Sequence, residues 1–183
     1  MTSVLFLDID GVLNSAQYHR SGRRHEAPAF SGHLIGAKMI DPDAVAVLDE
    51  VCRRAGCFVV VSSAWRDLVP LSALQEMLRL RGSTVAKIIG RTPVRRELDG
   101  EYAVYASPLG QDRIIPRGYE ICQWLRNNPV DSYAIVDDDD DMVSIHDRRT
   151  REFGERFVHT DFELGLLPEH GHRLVEILTT RIR

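Results

Sequence analysis

Three short stretches, Val4–Asp8, Cys57–Ser62 and Ser132–Val136, are apolar almost throughout, and polar residues close or follow each. A strand with one wet face alternates apolar and polar residues, whereas a strand covered on both faces does not. Runs of this kind therefore predict strands at the centre of a sandwiched sheet. Segments of helical period lie between them. Asp41 and Pro42 form an N-cap and first position for a helix whose stripe is Val45, Leu48, Val51, Cys52 and Ala55, closed by Gly56. Further helices are expected over 70–81, 117–126, 142–153 and 168–180, and further strands over 85–89 and 156–159. Strand and helix in alternation mean βαβ units. The predicted fold is α/β, three layers around a five-stranded parallel sheet, with irregular segments near 15–40 and 90–116.

The 183 residues suit one domain, and a chain of that size buries about 70% of its unfolded surface without staples. A net charge of −4 argues against a protein that coats nucleic acid by charge alone. Cys52, Cys57 and Cys122 are odd in number and form no CxxC pair, which fits reduced core residues and a cytoplasmic location. No apolar run reaches membrane-spanning length, and none has the pattern of a signal peptide.

In parallel sheets, sites lie outside the carboxyl ends of the strands. Asp8 and Asp10 follow the first strand, and Gly11 turns the chain away. Ser62, Ser63 and then Ala64-Trp65-Arg66 follow the second. Gly90-Arg91-Thr92 follows the third, the run Asp137–Asp141 the fourth, and Thr160-Asp161 the fifth. Carboxylates, hydroxyls and arginines on one rim suit a divalent cation with a phosphate, since Mg²⁺ takes hard oxygen ligands. The plain alternative at the first strand is an Asx-turn with both acids solvated.

The segments LFLDIDGVLN, VVVSSAWR and AIVDDDDDM, with an arginine opening the helix before the fourth strand, resemble the haloacid dehalogenase (HAD) superfamily of phosphohydrolases. SSAWR, RGYEICQWL and HTDFELGL further resemble a branch that includes phosphatase domains of multi-enzyme RNA-repair proteins. The resemblance implies a Rossmann-like domain over 1–183, with small loop insertions in place of a full cap, acting as a Mg²⁺-dependent phosphatase. It implies that Asp8 is the nucleophile that forms an aspartyl-phosphate. Asp10 is then general acid and base. Ser62 bonds a phosphoryl oxygen, and Arg117, at a helix N-terminus, stabilises the transferring group. Asp138 binds Mg²⁺ with Asp8 and the main-chain carbonyl of Asp10. Ser63 competes with Ser62, since a one-residue shift at a strand end swaps them. Arg91 and Arg113 compete with Arg117. Asp137 or Asp141 shares or replaces the metal role of Asp138, whereas Asp139 and Asp140 read as an acidic helix N-terminus.

Arg66, directly after the serines, is a candidate substrate contact, as are Ser63 and Arg91. Trp65 reads as packing, and His159 as a satisfied core residue. Arg20, Arg23 and Arg24 in one irregular segment, and Arg91, Arg95, Arg96 and Arg113 in the other, have two readings of equal weight. They are either solvated loop charge or a basic rim for a polyanion such as a nucleotide or nucleic-acid terminus. The alternatives to this function are a small-metabolite phosphatase and a non-catalytic phosphate-binding or signalling module. A receiver domain would carry its acceptor aspartate after the third strand, where this chain has Gly90-Arg91. A phosphomutase would need a helical cap, and no such segment is evident. No GxxxxGK[ST] loop is present, which excludes a P-loop kinase.

Overall fold

The computed structural model describes residues 2–25, 30–100, 117–140 and 152–180. Five strands, β1 (Ser3–Leu7), β2 (Cys57–Val61), β3 (Ile88–Arg91), β4 (Ser132–Asp137) and β5 (Phe157–His159), form one all-parallel sheet in the order β3-β2-β1-β4-β5. The fold is thus the expected Rossmann-like α/β arrangement. β1 sits at the centre, with Leu7 opposite Val61 on one side and Val136 on the other. Every residue of β1 and β4 is buried, as their unbroken apolar sequences require.

Alternation along each strand feeds two cores. Leu5, Leu7, Val59, Val61, Ala134 and Val136 pack on one face against α2 (Pro42–Ala55), α4 (Leu71–Leu80) and α6 (Pro168–Thr179). Val4, Phe6, Val60, Tyr133 and Ile135 pack on the other against Ile121 of α5 (Arg117–Asn127) and Phe153. The second core is aromatic. Phe6 meets Trp124 edge-on at 5.3 Å, and Tyr133 meets Phe153 edge-on at 5.9 Å. Helix α2 ends as its sequence predicts: the Asp41 carboxylate accepts from the Asp43 amide, and Gly56 adopts a φ of 62°. Two short helices, α1 (Ala16–Arg20) and α3 (Trp65–Leu68), follow the first two strand ends. Among the described residues no helix is long and apolar enough to cross a membrane, and the three cysteines form no disulfide.

Two local expectations need correction. The third strand starts at Ile88, not Val85. The amides of Thr84, Val85 and Ala86 are taken by the Asp49 carboxylate, and the Ile88 amide by Gln75 Oε1, so a side chain replaces the sheet partner there. Gly90 and Arg91 therefore lie in the strand rather than after it. The segment 15–40 is not wholly irregular: Ser15 caps α1 through its hydroxyl, and Gly32–Met39 is a 3-10 run. Most of the helix expected over 142–153 lies outside the described residues, and Glu152–Glu155 at its end is a 3-10 turn.

Candidate active site

The sheet order reverses at β1, whose chain leads to β2 on one side while β4 pairs on the other. Such a switch point opens a crevice at the carboxyl ends. Asp8 stands there, its amide donating to the Val136 carbonyl at 3.1 Å. Asp137 ends β4 beside it. Oxygen atoms of Asp8, Asp137 and Asp138 lie within 4.8 Å of one another. Asp8 and Asp137 are only 4% and 1% exposed.

Among the described residues, one guanidinium serves this cluster. Arg117 Nη1 donates to Asp8 Oδ1 at 2.8 Å and to the Ser62 carbonyl, and its Nε lies 3.7 Å from Asp137 Oδ2. One positive charge does not balance three carboxylates. Burial pushes the Asp8 carboxyl up to about 6, against the pull of Arg117 and the Ser63 hydroxyl, with the Asp10 and Asp138 charges adding to the rise. Burial, then the charge of Asp8, pushes Asp137 up to about 8. Asp138 is raised by burial and by its acidic neighbours.

Gly11 is indispensable to this grouping. Its φ of 65° turns the chain, and a Cβ there would fall 2.2 Å from the Cγ of Asp138. Only glycine leaves Asp138 room beside the loop. The end of β5 fastens the same two loops. Thr160 donates its hydroxyl to the Gly11 carbonyl at 3.0 Å and its amide to the Asp137 carbonyl at 2.9 Å. His159 Nε2 lies 2.8 Å from the Asp138 carbonyl oxygen.

A hard cation fits the cluster. Among the described residues Asp137 Oδ2 is buried without a hydrogen bond, and burial has raised all three carboxyls. A divalent ion relieves both conditions. Among the described residues the Ser62 hydroxyl is also buried without a hydrogen bond, whereas the Ser63 hydroxyl serves Asp8.

Asp10 stands apart from the three. It is exposed, and its carboxylate accepts from Asn14 Nδ2 at 2.6 Å and, on both oxygens, from Trp65 Nε1 at 3.0 Å. Arg66 lies behind the site with a side chain 6% exposed. Its Nη1 donates to the Ser63 carbonyl at 2.7 Å and its Nη2 to Glu120 of α5 at 2.5 Å. That bond ties the loop after β2 to the helix that carries Arg117. Arg91 makes a forked pair with Glu97 at 2.7 and 2.9 Å. Arg113 and Asp141 lie outside the described residues, as do the residues that would show a helix beginning at Asp139 and Asp140. The Asp139 amide donates to Asp137 Oδ1 at 3.0 Å.

Several described rim arginines outside the cluster have partners of their own. Arg20 pairs with Glu163, Arg23 with Asp43, Arg96 with Asp67, and Arg24 lies against His19. These pairings favour the reading of solvated loop charge.

Asn14, Glu120, Thr160 and the polar end of Trp65 were not predicted as site residues. Asn14 and Thr160 do stand in strand-end segments, but their partners are backbone and side-chain atoms remote in the chain or across a turn. His159 is exposed, not a core residue.

No curated protein and no solved structure gives a match to this chain. A family model does, over residues 4–170, a span that holds all the site residues named above and, but for Ser3, all five described strands. The chain therefore belongs to the family described as the HAD domain in Swiss Army Knife RNA repair proteins.

Proposed function

We propose that the chain is a Mg²⁺-dependent phosphatase that hydrolyses a phosphomonoester at a nucleic-acid terminus or on a nucleotide. The observation that carries this reading is the meeting of Asp8, Asp137 and Asp138 around one arginine at the switch point. Asp8, Asp137 and Asp138, with the main-chain carbonyl of Asp10, would hold the cation. Bound there, Mg²⁺ neutralises the carboxylates and polarises a phosphoryl oxygen.

The remaining chemistry belongs to side chains. An Asp8 oxygen attacks phosphorus, the ester P–O bond breaks, and the leaving alkoxide takes a proton from the Asp10 carboxyl. Water then attacks the aspartyl-phosphate and gives its proton to Asp10. The Asp8–phosphorus bond breaks, and inorganic phosphate leaves. Arg117, at the N-terminus of α5, neutralises charge on the transferring group and keeps Asp8 in line. Ser62 or Ser63 donates to a phosphoryl oxygen. Arg66 acts through its hold on Ser63 and Glu120, and Arg91 is held by Glu97.

The substrate class is supported by the family description, which names RNA-repair proteins. Asp8→Asn is expected to remove turnover of p-nitrophenyl phosphate by at least about 10⁴-fold. EDTA should silence the native protein and Mg²⁺ restore it. Turnover by pure, folded Asp8→Asn protein would falsify the nucleophile assignment, and full activity after chelation would remove the cation. Oligonucleotides with terminal phosphate should be hydrolysed with higher kcat/KM than a panel of phosphorylated metabolites. The reverse order moves the substrate to the small-metabolite class.

A further inference from the structure

Trp65 is more than packing. Its indole N–H reaches both oxygens of Asp10 at 3.0 Å, and Asn14 holds one of them from another side at 2.6 Å. Asn14 is itself fixed, because its Oδ1 accepts the Gly11 amide at 3.0 Å and the residue is 5% exposed. The carboxylate of Asp10 is exposed, so without such holders it would sample several rotamers. Two donors that carry no charge set its plane. A cation in the same place would attract the carboxylate in its ionised state, but a group that gives a proton and later takes one needs both states. The indole N–H is a donor only and does not titrate.

The ring has its own support. The Trp65 amide lies 3.4 Å from the Ser63 hydroxyl. The ring lies against Gly36 of the 3-10 run Gly32–Met39, so closely that a Cβ at Gly36 would come within 2.8 Å of Cζ3. Gly36 has no positive φ, so a side chain there strains the contact with the ring and not the backbone.

We infer that Trp65 is the positioning residue of the general acid, with Gly36 setting the position of its ring. This rests on the reading of Asp10 as the acid that protonates the leaving group. The two are separable by the leaving group itself. Nitrophenolate departs without a proton, whereas an alkoxide from an alkyl or ribose phosphate needs one. kcat/KM reports the step in which that group departs, before water enters.

The experiment compares kcat/KM with p-nitrophenyl phosphate and with an alkyl phosphate, in Mg²⁺, for the native protein, Asp10→Asn, Trp65→Phe and Gly36→Ala. Asp10→Asn should lose about 10²–10⁴-fold on the alkyl ester and far less on the nitrophenyl ester. Trp65→Phe keeps an aromatic ring and removes the N–H. It should lose about tenfold on the alkyl ester and less than about threefold on the nitrophenyl ester. Gly36→Ala should show the same selectivity at smaller size, and it carries the test if Trp65→Phe does not fold. Selective loss in Asp10→Asn with equal losses on both esters in Trp65→Phe and Gly36→Ala overturns the positioning role and leaves the acid in place. Equal losses in Asp10→Asn overturn both.

Discussion

Asp8 and Asp49 are the same residue type, both about 95% buried, and their surroundings treat them in opposite ways. Asp49, on α2, accepts from the Ser83 and Thr84 hydroxyls and from the amides of Thr84, Val85 and Ala86. Burial alone would raise its carboxyl, but those five donors outweigh burial and hold it below the ordinary range. Asp8 has Arg117 and Ser63 against burial and two further acids, and it is pushed up to about 6. The outcome is decided by the depth at which each carboxyl lies together with its supply of donors. A carboxylate whose donors are complete belongs to the architecture. One left short of donors is under electrostatic strain, and such strain collects where a ligand will relieve it.

That contrast can be broken by substitution. The largest effect is on turnover, which Asp8→Asn should remove while the metal-free protein becomes more stable at pH 8, since one buried charge is gone. A loss of stability in chemical unfolding at that pH would show that Asp8 is not strained. Asp49→Ala should do the converse. It strands buried donors and should cost about 3 kcal/mol in unfolding, with kcat per folded molecule close to native. A stability change under about 1 kcal/mol would mean that water replaces the carboxylate without loss.

The pH dependence sharpens the comparison. For Asp8 and Asp137 the folded state holds its protons more tightly than the unfolded state, whose aspartates titrate near 3.8. Their contribution to stability is complete below that value and is lost as pH rises through about 6 for Asp8 and about 8 for Asp137. For Asp8 the loss is on the order of 3 kcal/mol. Chelated protein should therefore melt at lower temperature at pH 8 than at pH 5, and added Mg²⁺ should raise Tm more at pH 8. A Tm gain from Mg²⁺ that does not change with pH would count against the cluster as its site. Asp49, with its carboxyl held low, contributes in the opposite sense: its stabilisation is present above 3.8 and fades as pH falls through its lower folded value.

The smallest effect is expected at the rim. Arg96 is exposed and pairs with Asp67 at 3.3 Å. Arg96→Glu should change stability by less than about 0.5 kcal/mol and should weaken action on phosphorylated oligonucleotides no more than on p-nitrophenyl phosphate. Selective weakening on oligonucleotides would restore the basic-rim reading.

What the sequence made legible divides along physical lines. β1, β2 and β4 were readable because they are buried on both faces, so hydrophobicity alone marks them. The carboxylates at their ends were readable because strand ends point to one crevice in any parallel sheet. β3 was misplaced by three residues because its start depends on Asp49 and Gln75, tertiary partners that leave no mark in local periodicity. Arg66 reads from its position as a substrate contact, yet its strongest partner, Glu120, lies 54 positions along the chain. Trp65 looked like packing because its apolar ring and its polar N–H serve different neighbours, and only the second is invisible in composition.

The fastening of Gly11 by Thr160 spans 149 positions of sequence. During synthesis, the two opening aspartates leave the ribosome well before Arg117, the later acids or the last strand exist to orient them. The loop that carries Asp8 and Asp10 thus stays unfastened until those residues have emerged, and closing so long a span is a slow event in folding. A fragment released before α5 would carry Asp8 without the arginine that holds it, and one released before β5 would still lack the fastening of Gly11.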